Sequence, residues 1–240
     1  MRVLLLGGTG EARALAARLH PAVHVISSLA GRVPDPALPV GEVRVGGFGG
    51  VEGLRHWLAE AGVDAVVDAT HPFAATITAN AAKACAQAGV PHLVLARPAW
   101  PHGAAIVVDS DREAAETVAR QQFSRVFLTT GRSGIAAFAD VDAWFLIRAV
   151  TAPDAAVLPR RHELLLSRGP YRYDEELQLM RGRRIDAVVT KNSGGDMTRA
   201  KLDAAATLEL PVVMVDRPPL PAGVDTVHTV DEAVGWISSR

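Results

Sequence analysis

The amino-acid sequence predicts an α/β protein made of two similar halves, each with a parallel sheet. Three observations lead to this prediction. Apolar runs that are typical of buried parallel strands alternate with helical segments along the 240 residues. A glycine-rich turn follows the first of these runs, and several short motifs of the first half recur in the second.

The first strand is predicted at Val3–Leu6, an apolar run that leads into a turn with three glycines. The residues ARALAARL that follow are strong helix formers. This order brings free N–H groups and the positive end of a helix to one point, which favours phosphate binding at Gly8, Thr9 and Gly10. The dinucleotide fingerprint G-x-G-x-x-G is incomplete, because Arg13 occupies the place of its third glycine. The alternative is that the glycines only close a turn.

Four more strands are predicted in the first half and five in the second. Those of the first half are Val23–Ser27, Glu42–Val45, Ala65–Asp68 and His92–Leu95. Those of the second half are Arg125–Leu128, Trp144–Arg148, Glu163–Leu166, Asp186–Val189 and Val212–Val215. Two further strand–helix pairs are predicted to bridge the halves and to close the chain, namely Ile106–Val108 with 111–122 and Val224–His228 with 230–239.

The two series of strands are in register. Thr9 corresponds to Thr130, 121 positions later (130 − 9), and the sequence DAVV occurs once in each half. Five strands that share nearly one offset indicate two copies of one Rossmann-like α/β unit. We therefore predict subdomains at residues 1–100 and 101–240, with a ligand cleft between them.

Ligands of open parallel sheets bind at the carboxyl ends of the strands, so the residues that follow each strand are candidate site residues. In the first half these residues are mostly glycines and hydroxyl-bearing residues, whereas in the second half they are rich in arginine and lysine. This difference favours a nucleotide in the first half and an anionic substrate in the second.

The end of the second strand indicates which nucleotide fits. An NAD-binding protein carries Asp or Glu there to hold the ribose hydroxyls. This sequence reads ISSLAGR instead, with Ser27, Ser28 and Arg32 and no acid. Two hydroxyls and a guanidinium suit the 2′-phosphate of NADP. A polar loop with a solvated arginine is the alternative.

The segment after the fourth strand reads DATHPFA. Pro72 suits the first turn of a helix, which would place Thr70 or His71 at the cap, pointing into the cleft. His71 could there donate a proton, bind a carboxylate or ligate a metal. The alternative is that Thr70 caps the helix and His71 only packs against it.

Two polar segments of the second half are candidate anion sites. TTGRSG places Thr130, Gly131 and Arg132 in a turn before a helix, although a plain turn capped by Ser133 explains the pattern equally well. TKNSGGDMTRAK is the densest polar cluster of the chain, and its Lys191 could bind a carboxylate; a solvated loop is the alternative. The other candidates are Asn192, Ser193 and Gly194 in this cluster and Arg148, Arg168 and Arg217 after other strands.

Composition limits the class of function. Hydrophobic residues make up 49% of the chain, and the formal net charge of −1 argues against a nucleic-acid surface. The sequence has no apolar run as long as a membrane span and no signal-peptide layout, so a cytoplasmic protein without membrane partners is expected. The eight histidines lack paired-ligand spacing and Cys85 is the single cysteine, so no protein-bound metal is expected.

The motifs LLLGGTGEAR, SSLAGR, GGFGG, DATHPFA, TTGR and TKNSGG, in this order and spacing, resemble those of the precorrin-6A reductase family of cobalamin biosynthesis. The resemblance spans the chain from Leu4 to about Pro218. It implies an oxidoreductase that uses NADPH to reduce one double bond of the precorrin-6A macrocycle, giving precorrin-6B. It also implies two Rossmann-like subdomains with coenzyme and tetrapyrrole in the cleft between them.

The residues and the resemblance together assign a role to each candidate. The expected coenzyme ligands are Gly8, Thr9, Gly10, Ser27, Ser28, Arg32, Thr70, Thr130, Gly131, Arg132, Asn192, Ser193 and Gly194. The expected substrate ligands are Arg13, Arg148, Arg168, Lys191 and Arg217, whose charges match a macrocycle fringed with carboxylates. His71 and Lys191 are the expected catalytic residues, and solvent is a third possible source of the proton.

Two other functions fit the same residues. A tetrapyrrole metal chelatase could surround a macrocycle with two α/β halves and use His71 to deliver the metal. A non-catalytic NADP-binding module could share the fold without turnover. Either a metal-free or a cobalt-containing tetrapyrrole fits as substrate, and the sequence leaves the oligomeric state open.

Overall fold

The computed structural model describes residues 1–31 and 38–240, which form two six-stranded parallel sheets. The predicted α/β class with two Rossmann-like halves is confirmed. The chain divides into a first unit, Met1–Pro98 with Pro218–Arg240, and a second unit, Ala99–Arg217. The predicted second subdomain at 101–240 therefore differs from the structure, because Pro218–Arg240 returns to the first unit.

The described residues contain twelve strands and seven α-helices. The strands are β1 (Arg2–Leu6), β2 (His24–Leu29), β3 (Glu42–Val45), β4 (Ala65–Asp68), β5 (His92–Leu95), β6 (Ile106–Val108), β7 (Arg125–Thr129), β8 (Trp144–Ala149), β9 (Arg161–Leu166), β10 (Ala187–Lys191), β11 (Val212–Val215) and β12 (Asp225–Val227). The helices are α1 (Gly10–Leu19), α2 (Gly50–Glu60), α3 (Ala75–Ala88), α4 (Asp111–Arg120), α5 (Tyr173–Gly182), α6 (Ala200–Thr207) and α7 (Val230–Ser238). Short 3₁₀ helices cover Arg132–Phe138 and Ala155–Val157. None of these helices is long and apolar enough to cross a membrane.

The sheet of the first unit has the strand order β12-β5-β4-β1-β2-β3. Counted from the first strand of the unit, this is the doubly wound order 3-2-1-4-5-6, with β12 in the sixth place. One face packs against α1 and α7 through Leu15, Leu19 and Ile237, all nearly inaccessible to solvent. The other face packs against α2 and α3 through Leu54 and Ala81. Burial on both faces explains why β1 and β4 are continuous apolar runs.

The sheet of the second unit repeats this order as β6-β11-β10-β7-β8-β9. Here β6 takes the sixth place, although it follows β5 of the first unit in the chain. Conversely, β12 follows β11 of the second unit and pairs with β5 of the first. Each unit thus receives its sixth strand from the chain segment that follows the fifth strand of the other unit.

The two exchanged strands carry matching helices. In α4 the Ser110 side chain accepts from the Glu113 backbone N–H at 3.1 Å, and in α7 the Thr229 side chain accepts from the Glu232 N–H at 3.2 Å. Both glutamates bond back to the segment before the helix, as in a capping box. The duplication therefore includes the sixth strand and its helix.

Candidate functional site

The glycine turn of the first unit connects β1 to α1. Gly7 donates its N–H to the Ser28 carbonyl at 2.9 Å, which fixes the start of the turn beside β2. Gly8 has a φ of +108°, and a Cβ added there would meet no atom within 4 Å. Only glycine adopts this conformation readily, so the backbone of the turn stays open to an approaching ligand.

Thr9 joins this turn to the loop after β4. Its hydroxyl accepts from the Ala12 N–H at 3.1 Å, which caps α1, and donates to the Ala69 carbonyl at 2.7 Å. In the second loop, Asp68 Oδ1 accepts from both the N–H and the hydroxyl of Thr70, at 2.9 and 2.6 Å. Two candidate segments are thereby held side by side at the carboxyl end of one sheet.

A depression lies next to the glycine turn, between it and the end of β2. It is lined by Gly7, Gly8, Ala12, Arg13, Ser27, Leu29 and Pro39. The Ser27 hydroxyl is buried and has no hydrogen-bond partner. A buried polar atom without a partner is costly unless a ligand or water satisfies it. Arg13 also lines this depression, which places a cation near the unpartnered hydroxyl.

Ser27 and Ser28 lie in different environments, and neither of them follows the second strand. β2 extends to Leu29, so the two residues lie within the strand and point to opposite faces. The Ser28 hydroxyl lies 3.5 Å from Arg44 Nη1, away from the depression. Arg44 in turn stacks on Phe48 and donates to the carbonyls of Gly46 and Gly47. Arg32, the predicted partner of Ser28, lies outside the described residues.

The prediction that Thr70 or His71 caps a helix is wrong, since neither residue does so. α3 begins only at Ala75, after Pro72 and Phe73 have formed a turn. His71 is exposed, and its Nδ1 accepts from the Phe73 N–H at 3.3 Å. The side chain is therefore at the surface of the first unit.

The corresponding turn of the second unit contains Thr130, Gly131 and Arg132. Gly131 has a φ of +75° and precedes a 3₁₀ helix that starts at Arg132, whose side chain is exposed. The Thr130 hydroxyl is buried without a partner, unlike that of Thr9. A Cβ added to Gly134 would lie 2.6 Å from this hydroxyl and 2.6 Å from Asp111 Oδ1. Glycine at 134 is thus what lets these two oxygens approach the turn.

Lys191 ends β10 and is largely buried. Its Nζ lies 2.9 Å from Asp111 Oδ2, and the two side chains are 10% and 25% exposed. This pair is a well-defined charged contact at the carboxyl end of β10. Sequence reasoning missed Asp111, because an acid in the first turn of a helix is ordinary capping chemistry.

The segment after Lys191 is held by Trp100 and Arg217. Asn192 accepts from the Trp100 N–H at 2.9 Å and donates to the Trp100 carbonyl at 3.1 Å. The Trp100 indole donates to the Gly195 carbonyl at 2.9 Å. Arg217 donates to the carbonyls of Asn192 and Ser193 at 2.8 and 3.0 Å. Gly194, at a φ of +67°, completes a segment with a defined shape.

The remaining arginine candidates differ sharply in exposure. Arg148 is buried and donates two bonds, of 2.9 and 2.6 Å, to the equally buried Glu176. Tyr171 lies over its guanidinium at 3.9 Å. The charge of Arg148 is thus already paired within the protein. Arg168, by contrast, is exposed and accessible to an anion. The structure brings Thr130 and Lys191 together around Asp111, whereas Arg148 contacts Glu176 and Tyr171 instead.

Comparisons with known proteins agree with these motifs. The chain matches the family described as Precorrin-6x reductase CbiJ/CobK over residues 2–238. It is 69% identical over 237 residues to a precorrin-6A reductase from Mycobacterium tuberculosis (strain ATCC 25618 / H37Rv), with 99% of this chain and 97% of the relative covered. It is 54% identical over 248 residues to a precorrin-6A reductase from Rhodococcus erythropolis, with coverages of 99% and 98%.

A solved structure described as CobK precorrin-6A reductase has the same fold. It superposes with a TM-score of 0.90 at 38% sequence identity, covering 100% of this chain and 96% of that one. A reductase of this kind needs a hydride source, which in general is a nicotinamide coenzyme. The chain belongs to the precorrin-6x reductase (CbiJ/CobK) family of oxidoreductases.

Proposed function

We propose that this protein catalyses the NADPH-dependent reduction of one double bond of precorrin-6A, giving precorrin-6B in cobalamin biosynthesis. The observation that carries the proposal is the 69% identity, over nearly the whole chain, to a protein named precorrin-6A reductase. The same comparison does not favour a chelatase or a non-catalytic binding module. Since the relatives at 69% and 54% identity are named for the metal-free compound, we take metal-free precorrin-6A as the substrate.

The first unit binds the coenzyme in this proposal. The backbone of Gly8, Thr9 and Gly10 receives the pyrophosphate at the start of α1. The unpartnered Ser27 hydroxyl and Arg13 face the ribose side of the same depression. NADPH is preferred over NADH because Arg32 follows the second strand, where an NAD-binding protein carries an acid, and because Arg13 adds a second cation at the depression. Arg13 thus becomes a coenzyme ligand rather than the substrate ligand expected from the sequence.

The second unit binds the macrocycle through its carboxylates. Lys191, Arg217, Arg132 and Arg168 lie at or after the carboxyl ends of its strands. Arginine and lysine are suited to carboxylates, through bidentate and single charge-assisted bonds respectively. Arg148 is a positioning residue in this scheme, since its guanidinium is already bound to Glu176.

Reduction of a double bond adds a hydride and a proton. The chemistry that a bound nicotinamide coenzyme supplies is the hydride. Lys191 donates the proton from Nζ, and Asp111 at 2.9 Å holds that amine in place. After donation the amine recovers a proton from solvent. His71, exposed on the first unit, is the second candidate donor.

The experiment is to mix the purified protein with NADPH and precorrin-6A under anaerobic conditions and to follow coenzyme absorbance. We expect oxidation of one NADPH per macrocycle, with a product two hydrogens heavier by mass spectrometry. Parallel reactions with NADH and with cobalt-precorrin-6A measure the coenzyme and substrate preferences. Absence of NADPH oxidation with both tetrapyrroles would refute the proposal.

A further inference from the structure

Lys201 is a buried lysine that the proposed reaction does not use. It lies in the first turn of α6 and is 4% exposed. Its Nζ donates to the Thr198 carbonyl at 2.7 Å and lies 4.7 Å from the centre of the Trp100 ring. Among the described residues, no carboxylate lies within ion-pair distance of this amine. A cation in such a place is costly, and an apolar residue of similar size would be more stable.

The contacts of Lys201 lead to the segment that bears the candidate site residues. Thr198 belongs to the loop between that segment and α6. Trp100 binds Asn192 through both of its main-chain groups and Gly195 through its indole. The amine therefore contacts Trp100, which holds the segment, and bonds to Thr198 in the loop that directly follows the segment. An ammonium binds both better than a neutral amine does, through a charge-assisted hydrogen bond and a cation–π contact.

We propose that Lys201 is a positioning residue for Lys191–Gly195: its ammonium fixes this segment through Thr198 and Trp100, and loss of the proton releases it. The proposal rests on the proposed function, in which the segment binds coenzyme and substrate. The groups that act on Lys201 electrostatically are Glu176 from α5 and Arg148 from β8. Burial lowers the pKa of Lys201 to about 7, with Glu176 opposing and Arg148 assisting the shift. The amine consequently changes charge near pH 7.

The first test follows tryptophan fluorescence between pH 6 and 9 without substrate. Wild type should show a transition near pH 7 because the cation over Trp100 is lost. Lys201→Met, which keeps length but carries no charge, should lack the transition, as should Trp100→Phe. Lys83→Met is the matched control, since Lys83 is exposed on α3 of the first unit. A wild-type signal without a transition, or one that persists in Lys201→Met, overturns the proposal.

The second test measures the pH profile of NADPH-dependent precorrin-6A reduction. Wild type and Lys83→Met should lose activity as the pH rises through about 7. Lys201→Met should be roughly ten- to a hundredfold slower at pH 6, with kcat reduced more than KM, and should lack this step. A Lys201→Met profile identical to wild type overturns the proposal. If wild type itself reduces nothing, the proposed function fails, while the fluorescence result still decides whether Lys201 controls the segment.

Discussion

Ser27 and Ser28 are adjacent in the sequence and differ completely in surroundings. One faces the depression beside the glycine turn with an unpartnered hydroxyl, and the other faces Arg44. The sequence identifies both as polar residues at a strand end. It does not tell them apart, because the end of the strand would have to be predicted to the exact residue. A shift of one residue in that end changes which serine follows the strand. Lys201 shows the same limit, since its sequence neighbours give no indication that its amine is buried.

Arg32→Ala tests the preference for NADPH. We expect the KM for NADPH to rise about tenfold or more while that for NADH stays nearly constant, since one charge-assisted bond is worth about 1.5–3 kcal/mol. Steady-state kinetics with both coenzymes measure this. Arg18→Ala is the control, because Arg18 lies on the exposed side of α1 and pairs with Asp231 at 2.7 Å. An equal change in KM for both coenzymes would contradict the assignment of Arg32 as a ligand of the 2′-phosphate.

Asp111→Asn tests the partner of Lys191. Without the carboxylate 2.9 Å from Nζ, the amine loses the contact that orients it. We expect kcat to fall roughly ten- to a hundredfold, with the KM for NADPH little changed. Asp142→Asn serves as control, because Asp142 is exposed and pairs only with Arg161 among the described residues. An unchanged kcat in Asp111→Asn would argue against Lys191 as the proton donor.

Lys201 also makes the stability of the protein depend on pH. Its pKa of about 7 in the folded protein lies below the ordinary value of 10.5, so between these values the unfolded chain binds one proton more. The free energy of unfolding should therefore rise with pH by up to about 1.4 kcal/mol per unit in this window, and the penalty for the buried cation is complete below pH 7. Urea unfolding at pH 6 to 9 should give Lys201→Met a smaller slope than wild type and greater stability at pH 6. Identical slopes would mean that the amine is not buried as a cation.

At the scale of elements, the sequence predicts the fold well and the site only in part. Every predicted strand is present, because runs such as Val3–Leu6 and Ala65–Asp68 are buried on both faces of a sheet and leave a continuous apolar pattern. The loops after the strands are predicted less well. Pro72 suggested an immediate helix, but Asp68 holds Thr70 in a separate turn and α3 starts later. The loop is also bound by the Thr9 hydroxyl through the Ala69 carbonyl, and this contact joins residues that are 60 positions apart, so no local sequence pattern reveals it.

Gly134 shows how one element shapes the site of the second unit. Because a Cβ at this position would lie 2.6 Å from both Asp111 Oδ1 and Thr130 Oγ1, Gly134→Ala must displace one of them. We expect a loss of about 1–3 kcal/mol in the free energy of unfolding and a lower kcat, measured by urea unfolding and turnover. Gly182→Ala is the matched control, since a Cβ there meets no atom within 4 Å. It should leave both quantities near their wild-type values, and equal effects in the two variants would contradict this explanation.

At the scale of the whole molecule, the exchange of sixth strands makes the two units unequal as chain segments. Ala99–Arg217 contains all six strands of its sheet, whereas Met1–Pro98 lacks β12 and α7. The missing pieces supply Ala233 and Ile237 to the core around α1. A fully buried side chain such as Ile237 contributes about 1.5–3 kcal/mol, which is a large share of the roughly 5–15 kcal/mol that stabilises a domain. The segment that completes the first unit is therefore the one farthest from the glycine turn in sequence.

Separated fragments should display this inequality. Residues 99–217 alone should give a cooperative urea transition by circular dichroism, because every strand of their sheet is present. Residues 1–98 alone should give no cooperative transition and no change in NADPH fluorescence on mixing. A chain that joins residues 1–98 to 218–240 through a flexible glycine–serine linker should recover both, since β12 can again pair with β5. If residues 1–98 fold and bind NADPH without the terminal segment, the sixth strand is an accessory to that unit rather than part of its core.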